Sequence, residues 1–114
     1  MSVALVGTNN LTIELDEDGY LRHLNDWTPI VAQQLAMQQQ LMLNEEHWAV
    51  INSIRQFYQQ YQRSPTTRVL LKYLAQQLGA EKASSIYVMS LFDDGTPAKT
   101  VARIAGLPKP TNCM

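Results

Sequence analysis

The chain has 114 residues, of which 46% are apolar, and a formal net charge of −1. This length suggests one domain with a modest core and little room for a deep active-site cavity. No apolar run is long enough to span a membrane, and the N-terminal segment MSVALVGTNN lacks the pattern of a secretory signal. A single cysteine excludes an internal disulfide, so these features together predict a cytoplasmic protein.

The first predicted element is a β-hairpin over residues 11–24. Apolar and polar residues alternate from Leu11 to Leu15, which is typical of a strand with one buried face. Asp18 and Gly19 then form a strong turn signal, and Tyr20 would open the second arm. A lone hairpin is only marginally stable in water, so we expect it to pack against helices.

From residue 28 onward the patterns are typical of α-helices. Thr28 before Pro29 predicts the start of a first helix, and Asn44 can cap a second. The second helix has a clear amphipathic pattern, with apolar residues recurring three or four positions apart at Trp48, Ile51, Ile54, Tyr58 and Tyr61. Further helices are predicted over about 66–78 and 81–92, followed by a short one that begins near Pro97 and stops at Gly106.

The last eight residues, LPKPTNCM, cannot continue a helix. Pro108 and Pro110 each remove a backbone donor, and they push Leu107 and Lys109 toward extended geometry. We therefore predict a mobile, semi-rigid C-terminal arm over 107–114. The predicted architecture is one mostly α-helical domain, 1–114, with an N-terminal β-hairpin and this extended arm.

Cys113 is the leading candidate for a functional side chain. It is next to last in the chain, where burial is uncommon, and a thiol on a stiff arm could enter the pocket of another protein. Thiol or persulfide exchange requires such access, because the attacking thiolate must reach the target sulfur. Position alone slightly favours the plainer interpretation of an incidental terminal cysteine.

Other chemistries find no support in the sequence. With one cysteine, a thioredoxin-like mechanism is excluded. His23 and His47 lie far apart without nearby cysteines, so we predict no metal site; His47 is expected at the surface or in a local hydrogen bond. No serine-nucleophile or phosphate-loop motif occurs, and no cofactor is predicted.

A basic middle segment leaves a second class of function open. Residues 1–50 carry seven acids and one base, whereas residues 51–114 carry eight bases and three acids. Arg68 and Lys72 share a helix face, and with Arg63 they could contact an anionic partner. The second and third helices also resemble a helix-turn-helix in outline, which would suit a nucleic-acid-binding regulator. A solvated basic stripe explains the same residues.

The C-terminal sequence AGLPKPTNCM resembles the terminal signature of the DsrC/TusE family, which has a penultimate cysteine. The resemblance covers nearly the whole chain. It includes Trp27 after the acidic hairpin, the segment EEHW at the start of the second helix, Arg55, and the Ser64-Pro65 pair. It implies a mostly helical fold with an N-terminal hairpin, in agreement with the patterns above.

The resemblance implies that Cys113 carries sulfur as a persulfide. In the sulfite-reduction branch of the family a second cysteine occurs eleven positions earlier, where this chain has Ala102, so the single cysteine is similar to the TusE branch. Cys113 would then accept sulfur from a TusBCD-type complex and pass it to a tRNA 2-thiouridylase, with or without tRNA bound to that enzyme. Such a protein is a carrier of the sulfurtransferase type instead of a stand-alone enzyme.

Docking contacts are expected around the arm, at Lys99, Arg103, Leu107, Pro108, Lys109 and Pro110. Simple surface charge explains the three basic residues nearly as well. The alternatives to a sulfur carrier are the nucleic-acid-binding regulator and an accessory subunit of dissimilatory sulfite reduction. Ala102 argues against the second alternative, because a disulfide or trisulfide step within one chain needs two sulfur atoms.

Overall fold

The computed structural model describes residues 3–6, 12–92 and 97–110, and within these ranges two β-strands precede five α-helices. The strands are β1 (Val3–Val6) and β2 (Thr12–Leu15). The helices are α1 (Pro29–Met37), α2 (Glu45–Tyr61), α3 (Thr67–Leu78), α4 (Ser85–Phe92) and α5 (Pro97–Ile104). The prediction of a mostly α-helical fold with an N-terminal β-hairpin is therefore confirmed.

The hairpin lies earlier in the chain than predicted. β1 pairs antiparallel with β2, so that Val3 is opposite Leu15 and Val6 is opposite Thr12. The predicted first arm is β2, but the predicted second arm forms only one isolated bridge, between Leu15 and Leu21. Tyr20 and Leu21 are both buried, although neighbouring residues of a strand point to opposite faces. The chain therefore turns inward at this point instead of continuing a ladder.

The acidic turn that follows β2 has a structural role. The Asp16 carboxylate accepts hydrogen bonds from the backbone N–H groups of Asp18 and Tyr20, both at 2.9 Å. Gly19 takes a positive φ of 87°, which suits a residue without a side chain. The turn thus directs Tyr20 into the core, where its hydroxyl donates to the Lys99 carbonyl oxygen at 3.2 Å.

The predicted helix starts are confirmed where a side chain caps the backbone. The Thr28 hydroxyl accepts from the Val31 N–H group, and the Asn44 carboxamide accepts from Glu46 and His47. The predicted helix over residues 81–92 begins about one turn later than expected. α1 ends at Met37, and the region predicted to begin a helix at residue 81 forms a 3-10 turn, Ala80–Lys82, before α4.

His47 is buried, contrary to the expectation of a surface position, and it makes the expected local hydrogen bond. Its Nδ1 accepts from the Asn44 N–H group at 3.1 Å. Its Nε2 lies 2.5 Å from the Leu91 carbonyl oxygen, which can only accept, so Nε2 donates this hydrogen bond. His47 therefore connects the start of α2 to the end of α4.

α5 is the central helix of the domain and contacts all four other helices. Although it has eight residues, only Lys99 and Arg103 are not buried. Its apolar residues belong to the same core cluster as Leu35 on α1 and Ile51 on α2. The chain that leaves α5 toward the C-terminus thus starts from a buried part of the fold.

Candidate functional site

The base of the C-terminal arm begins with a compact stop at the end of α5. The Leu107 N–H group donates to the Ala102 carbonyl oxygen at 2.9 Å, and the Gly106 N–H group donates to Arg103 at 3.2 Å. This pair of bonds is the Schellman arrangement, which places a left-handed residue just after a helix. Gly106 has a φ of 75°, so the predicted stop at this glycine is confirmed.

Two side chains from distant parts of the chain bind the last carbonyl groups of α5. The Trp27 indole N–H donates to the Ile104 carbonyl oxygen at 2.9 Å. The Arg55 guanidinium donates to the Ala105 carbonyl oxygen at 2.6 Å and lies 3.8 Å from the centre of the Trp27 ring. We call this arrangement of Trp27, Arg55 and Gly106 the clasp.

The charge of Arg55 suits its position in the clasp. Burial lowers the pKa of the Arg55 guanidinium from its usual value, because desolvation disfavours the charged form. Arginine nevertheless stays protonated in proteins. Its positive charge faces the end of α5 at which carbonyl dipoles accumulate, and it also contacts an aromatic face. Both contacts favour the charged form in this half-buried place.

Gly106 leaves no room for a side chain. A Cβ atom at this position would lie 2.3 Å from Trp27 Cδ1 and 2.6 Å from Trp27 Cγ. Such distances are well below van der Waals contact between carbon atoms. The glycine is therefore required twice, once by its backbone conformation and once by the approach of the indole ring.

The arm base, residues 107–110, lies against the domain. Leu107 is only 3% exposed and belongs to the core cluster, and Pro110 is also buried. The Ser64 hydroxyl donates to the Pro108 carbonyl oxygen at 2.5 Å, and the Lys109 ammonium lies 3.2 Å from the Asp18 carboxylate. These contacts join the arm base to the connection between α2 and α3 and to the acidic turn after β2.

The structure describes residues 107–110 of the arm predicted over 107–114, and the mobility of that arm stays a prediction. Its first four residues are held by core burial, a hydrogen bond and an ion pair. Leu107 and Pro110, which were predicted as docking contacts, are buried against the protein itself, whereas Pro108 and Lys109 are exposed. Cys113, the predicted sulfur carrier, lies outside the described residues.

The three predicted basic docking residues come together in the structure. Lys99, Arg103 and Lys109 line one shallow cavity of about 240 Å³, together with Asp18, Tyr20 and Thr100. Lys99 and Arg103 are one helical turn apart on α5, and the arm base brings Lys109 beside them. We call these three residues the arm-base patch; with Asp18 as the one acid in its lining, the cavity is predominantly positive.

The sequence did not predict the contacts that Trp27, Arg55 and Ser64 make. All three belong to segments that resemble the family, but nothing in the local sequence shows that they meet the end of α5 or the arm. These contacts join residues 44 to 77 positions apart. Among the residues that the structure describes, no three His, Cys, Asp or Glu side chains form a cluster that could hold a metal ion.

Comparison with known proteins identifies the family. Residues 7–114 match the family model described as DsrC like protein. The Sulfurtransferase TusE of Sodalis glossinidius is 46% identical over 106 residues, which cover 93% of this chain and 97% of that protein. The Sulfurtransferase TusE homolog of Haemophilus influenzae is 42% identical over 96% of this chain and 100% of that protein. The chain belongs to the DsrC-like family, and these relatives support a sulfur-relay role.

Solved structures agree with this assignment. The NMR structure of Allochromatium vinosum DsrC covers 100% of both chains with a TM-score of 0.89 and 47% identity. The crystal structure of the oxidized gamma-subunit of the dissimilatory sulfite reductase (DsrC) from Archaeoglobus fulgidus has a TM-score of 0.80 and 34% identity, over 99% of this chain and 98% of that one. In the described part of this chain, no helix has the length and apolar character needed to cross a bilayer.

The clasp generates the first prediction. Gly106→Ala should destabilise the protein by about 2–4 kcal/mol, because a steric clash with Trp27 adds to the left-handed backbone strain. Gly19→Ala is the matched control: it also has a positive φ, but its Cβ would lie 3.4 Å from the nearest atom, on the flexible Arg103 side chain. Urea unfolding of both variants measures the difference. Equal losses of stability would show that Trp27 does not press on Gly106.

Proposed function

We propose that this chain is a sulfur-relay carrier that receives sulfur as a persulfide on Cys113 and passes it to a tRNA 2-thiouridylase. The observation that carries the proposal is the match to sulfurtransferase relatives over more than nine-tenths of both chains, in a protein whose one cysteine is next to last. A TusBCD-type complex is the proposed donor, and the exchange is proposed to occur in the cytoplasm, where thiols stay reduced.

The proposed chemistry needs no oxidant or reductant. The Cys113 thiolate attacks the terminal sulfur of a donor persulfide, a new sulfur–sulfur bond forms, and the donor cysteine leaves as a thiolate. In the second transfer, a thiolate of the acceptor enzyme attacks the terminal sulfur on Cys113, which leaves as a thiolate. Each step exchanges one sulfur–sulfur bond for another, as in ordinary thiol–disulfide exchange.

The anchored arm base sets the reach of this chemistry. Cys113 is three residues beyond Pro110, and three extended residues span at most about 10–11 Å. With residues 107–110 against the domain, the thiol cannot travel the full length of the predicted arm. Each partner must therefore bring its own cysteine to the face of the domain around Pro110, and the arm-base patch is the docking surface that we propose there.

Ala102 distinguishes this proposal from the accessory subunit of sulfite reduction. Overall identity does not, because the chain is as similar to a DsrC of known structure, at 47%, as to a TusE relative, at 46%. At the position where the resemblance places a second cysteine, Ala102 is fully buried in α5 and has no sulfur. A chain with one cysteine cannot form the internal disulfide or trisulfide of a two-cysteine mechanism.

Cys113 provides the direct test. Incubation with a competent persulfide donor complex should add one sulfur atom to the intact mass of the wild-type chain and none to Cys113→Ser. The same substitution in the cell should abolish 2-thiouridine in tRNA, because serine cannot form a persulfide. Normal thiolation in the Cys113→Ser strain would overturn the proposal.

Shortening the C-terminal arm distinguishes the contribution of the Cys113 thiol to function from the contribution of the arm base to stability. A chain that ends at Pro110 keeps Leu107, the Ser64 bond and the Lys109 ion pair, so it should unfold at nearly the wild-type urea concentration yet accept no sulfur. A chain that ends at Gly106 loses the buried Leu107, and it should be less stable by about 2–4 kcal/mol. A nucleic-acid-binding regulator should retain its function in the first truncation.

Charge reversal tests the arm-base patch as a docking surface. Lys99→Glu combined with Arg103→Glu should slow sulfur loading at least tenfold at low salt, because a positive surface accelerates encounter with an acidic one. Lys82→Glu combined with Arg68→Glu makes the same change in net charge at exposed positions away from the arm base and should have little effect on loading. Equal slowing in both pairs would show that net charge, and not the patch, controls loading.

A further inference from the structure

A second cavity, between α2 and α3, is not used by the proposed transfer chemistry. Its volume is about 570 Å³. It is lined by the last turn of α2, the connection to α3 and one side of α3, and its lining includes Phe57, Tyr61, Arg63, Ser64, Lys72 and Tyr73. We call it the α2–α3 groove. Ser64 is part of its wall and also binds the Pro108 carbonyl oxygen, so the groove adjoins the arm base.

The groove has a positive charge that nothing on its walls neutralises. Residues 51–80 contain four basic residues and no Asp or Glu. Arg55 belongs to the clasp, which leaves Arg63, Arg68 and Lys72, all exposed. None of these three forms an ion pair with another residue in the described ranges. Arg63 and Lys72 line the groove itself, and Arg68 is one helical turn from Lys72.

An aromatic side chain, Tyr61, lines the same groove as Arg63 and Lys72. Tyr61 is 52% exposed, and its ring centre is 4.6 Å from that of Phe57, with the planes tilted by 41°. Phe57 in turn makes an edge contact with Tyr73 at 5.3 Å. Phe57 and Tyr73 are buried, so Tyr61 packs on a buried ring, that of Phe57, while about half of the residue stays exposed to solvent.

We infer that the α2–α3 groove binds a single-stranded segment of RNA, with phosphates on Arg63, Arg68 and Lys72 and a base stacked on Tyr61. Cations along a groove combined with an open aromatic ring are the usual features of single-strand binding. An acidic peptide would pair with the cations, but its carboxylate side chains would not stack on the Tyr61 ring. Residues 111–114 of the chain itself, TNCM, contain no acidic and no aromatic side chain that would match this groove.

This inference rests on the proposed function and names a partner for it. Ser64 joins the groove to the arm base, and Cys113 can extend at most about 10–11 Å from Pro110. RNA bound in the groove would therefore lie near the point at which sulfur is delivered. An acceptor that thiolates tRNA must hold RNA close to its own sulfur-accepting cysteine, so the carrier would contact enzyme and RNA together.

The test measures binding of a short fluorescent single-stranded RNA to the full chain by anisotropy, at several salt concentrations. Arg63→Gln combined with Lys72→Gln should lower the slope of log affinity against log salt by about 0.7 for each cation removed. Arg22→Gln combined with Lys82→Gln removes two exposed charges outside the groove and should leave the slope nearly unchanged. Equal effects of the two pairs would overturn the inference.

Tyr61 separates stacking from charge. Tyr61→Ala should weaken RNA binding about tenfold or more, whereas Tyr61→Phe, which keeps the ring, should bind as the wild type does. The inference of a single-strand site would be contradicted if an acidic peptide displaced the labelled RNA as well as unlabelled RNA does. It would also be contradicted if duplex DNA bound as tightly as the RNA and Tyr61→Ala had no effect on that binding.

Sulfur loading keeps this test independent of the proposed function. The groove variants should gain sulfur on Cys113 from the donor complex at the wild-type rate, since the groove is not part of the thiol exchange. If the wild-type chain is loaded with sulfur normally but binds no RNA, only the inference about the α2–α3 groove is refuted. Intact tRNA thiolation in the Cys113→Ser strain would refute the carrier, whatever the groove binds.

Discussion

The capping of α5 by Trp27 and Arg55 is the interaction on which the functional part of the structure depends. The last carbonyl groups of every α-helix lack a partner within the helix. In the central helix α5 these groups lie where water cannot easily reach them, and leaving them unpaired would cost stability. Ile104 and Ala105 receive their donors from an indole and a guanidinium on other elements. The end of α5 is thereby fixed to the rest of the domain, and Gly106 is the residue small enough to fit beneath the indole.

A fixed arm base changes how a terminal thiol can be used. An unanchored tail samples a large volume, and ordering it in a partner's pocket has an entropic cost for every residue that is immobilised. Here four residues are already ordered before any partner arrives, so fewer remain to be ordered on docking. In the proposed transfer the thiol then has a shorter reach, so the partners have to approach one particular face of the domain.

The sequence predicted the features that local chemistry determines. Thr28 and Asn44 cap helices because their side chains reach backbone groups two or three residues away, and the spacing of Ile51 and Ile54 defines the buried side of α2. The sequence-based prediction failed for features that depend on contacts between distant segments of the chain. β1 could not be assigned because its pairing with β2 is a contact between segments, and the docking of Leu107 depends on a core built by other elements. The family resemblance suggested the proposed role of Cys113, whereas the clasp at the end of α5 was visible only in the fold.

The two positive surfaces follow from how the arm base crosses the domain. Pro108 contacts the connection before α3, while Lys109, the next residue, pairs with Asp18 in the acidic turn. The arm base therefore lies between the α2–α3 groove and the arm-base patch, with an acidic turn holding it by an exposed ion pair that is worth little by itself. A carrier has to leave each partner after every transfer, so weak and salt-sensitive contacts suit it better than a large apolar interface. Exposed cations on either side of a short anchored arm meet that requirement, because they speed encounter without making release slow.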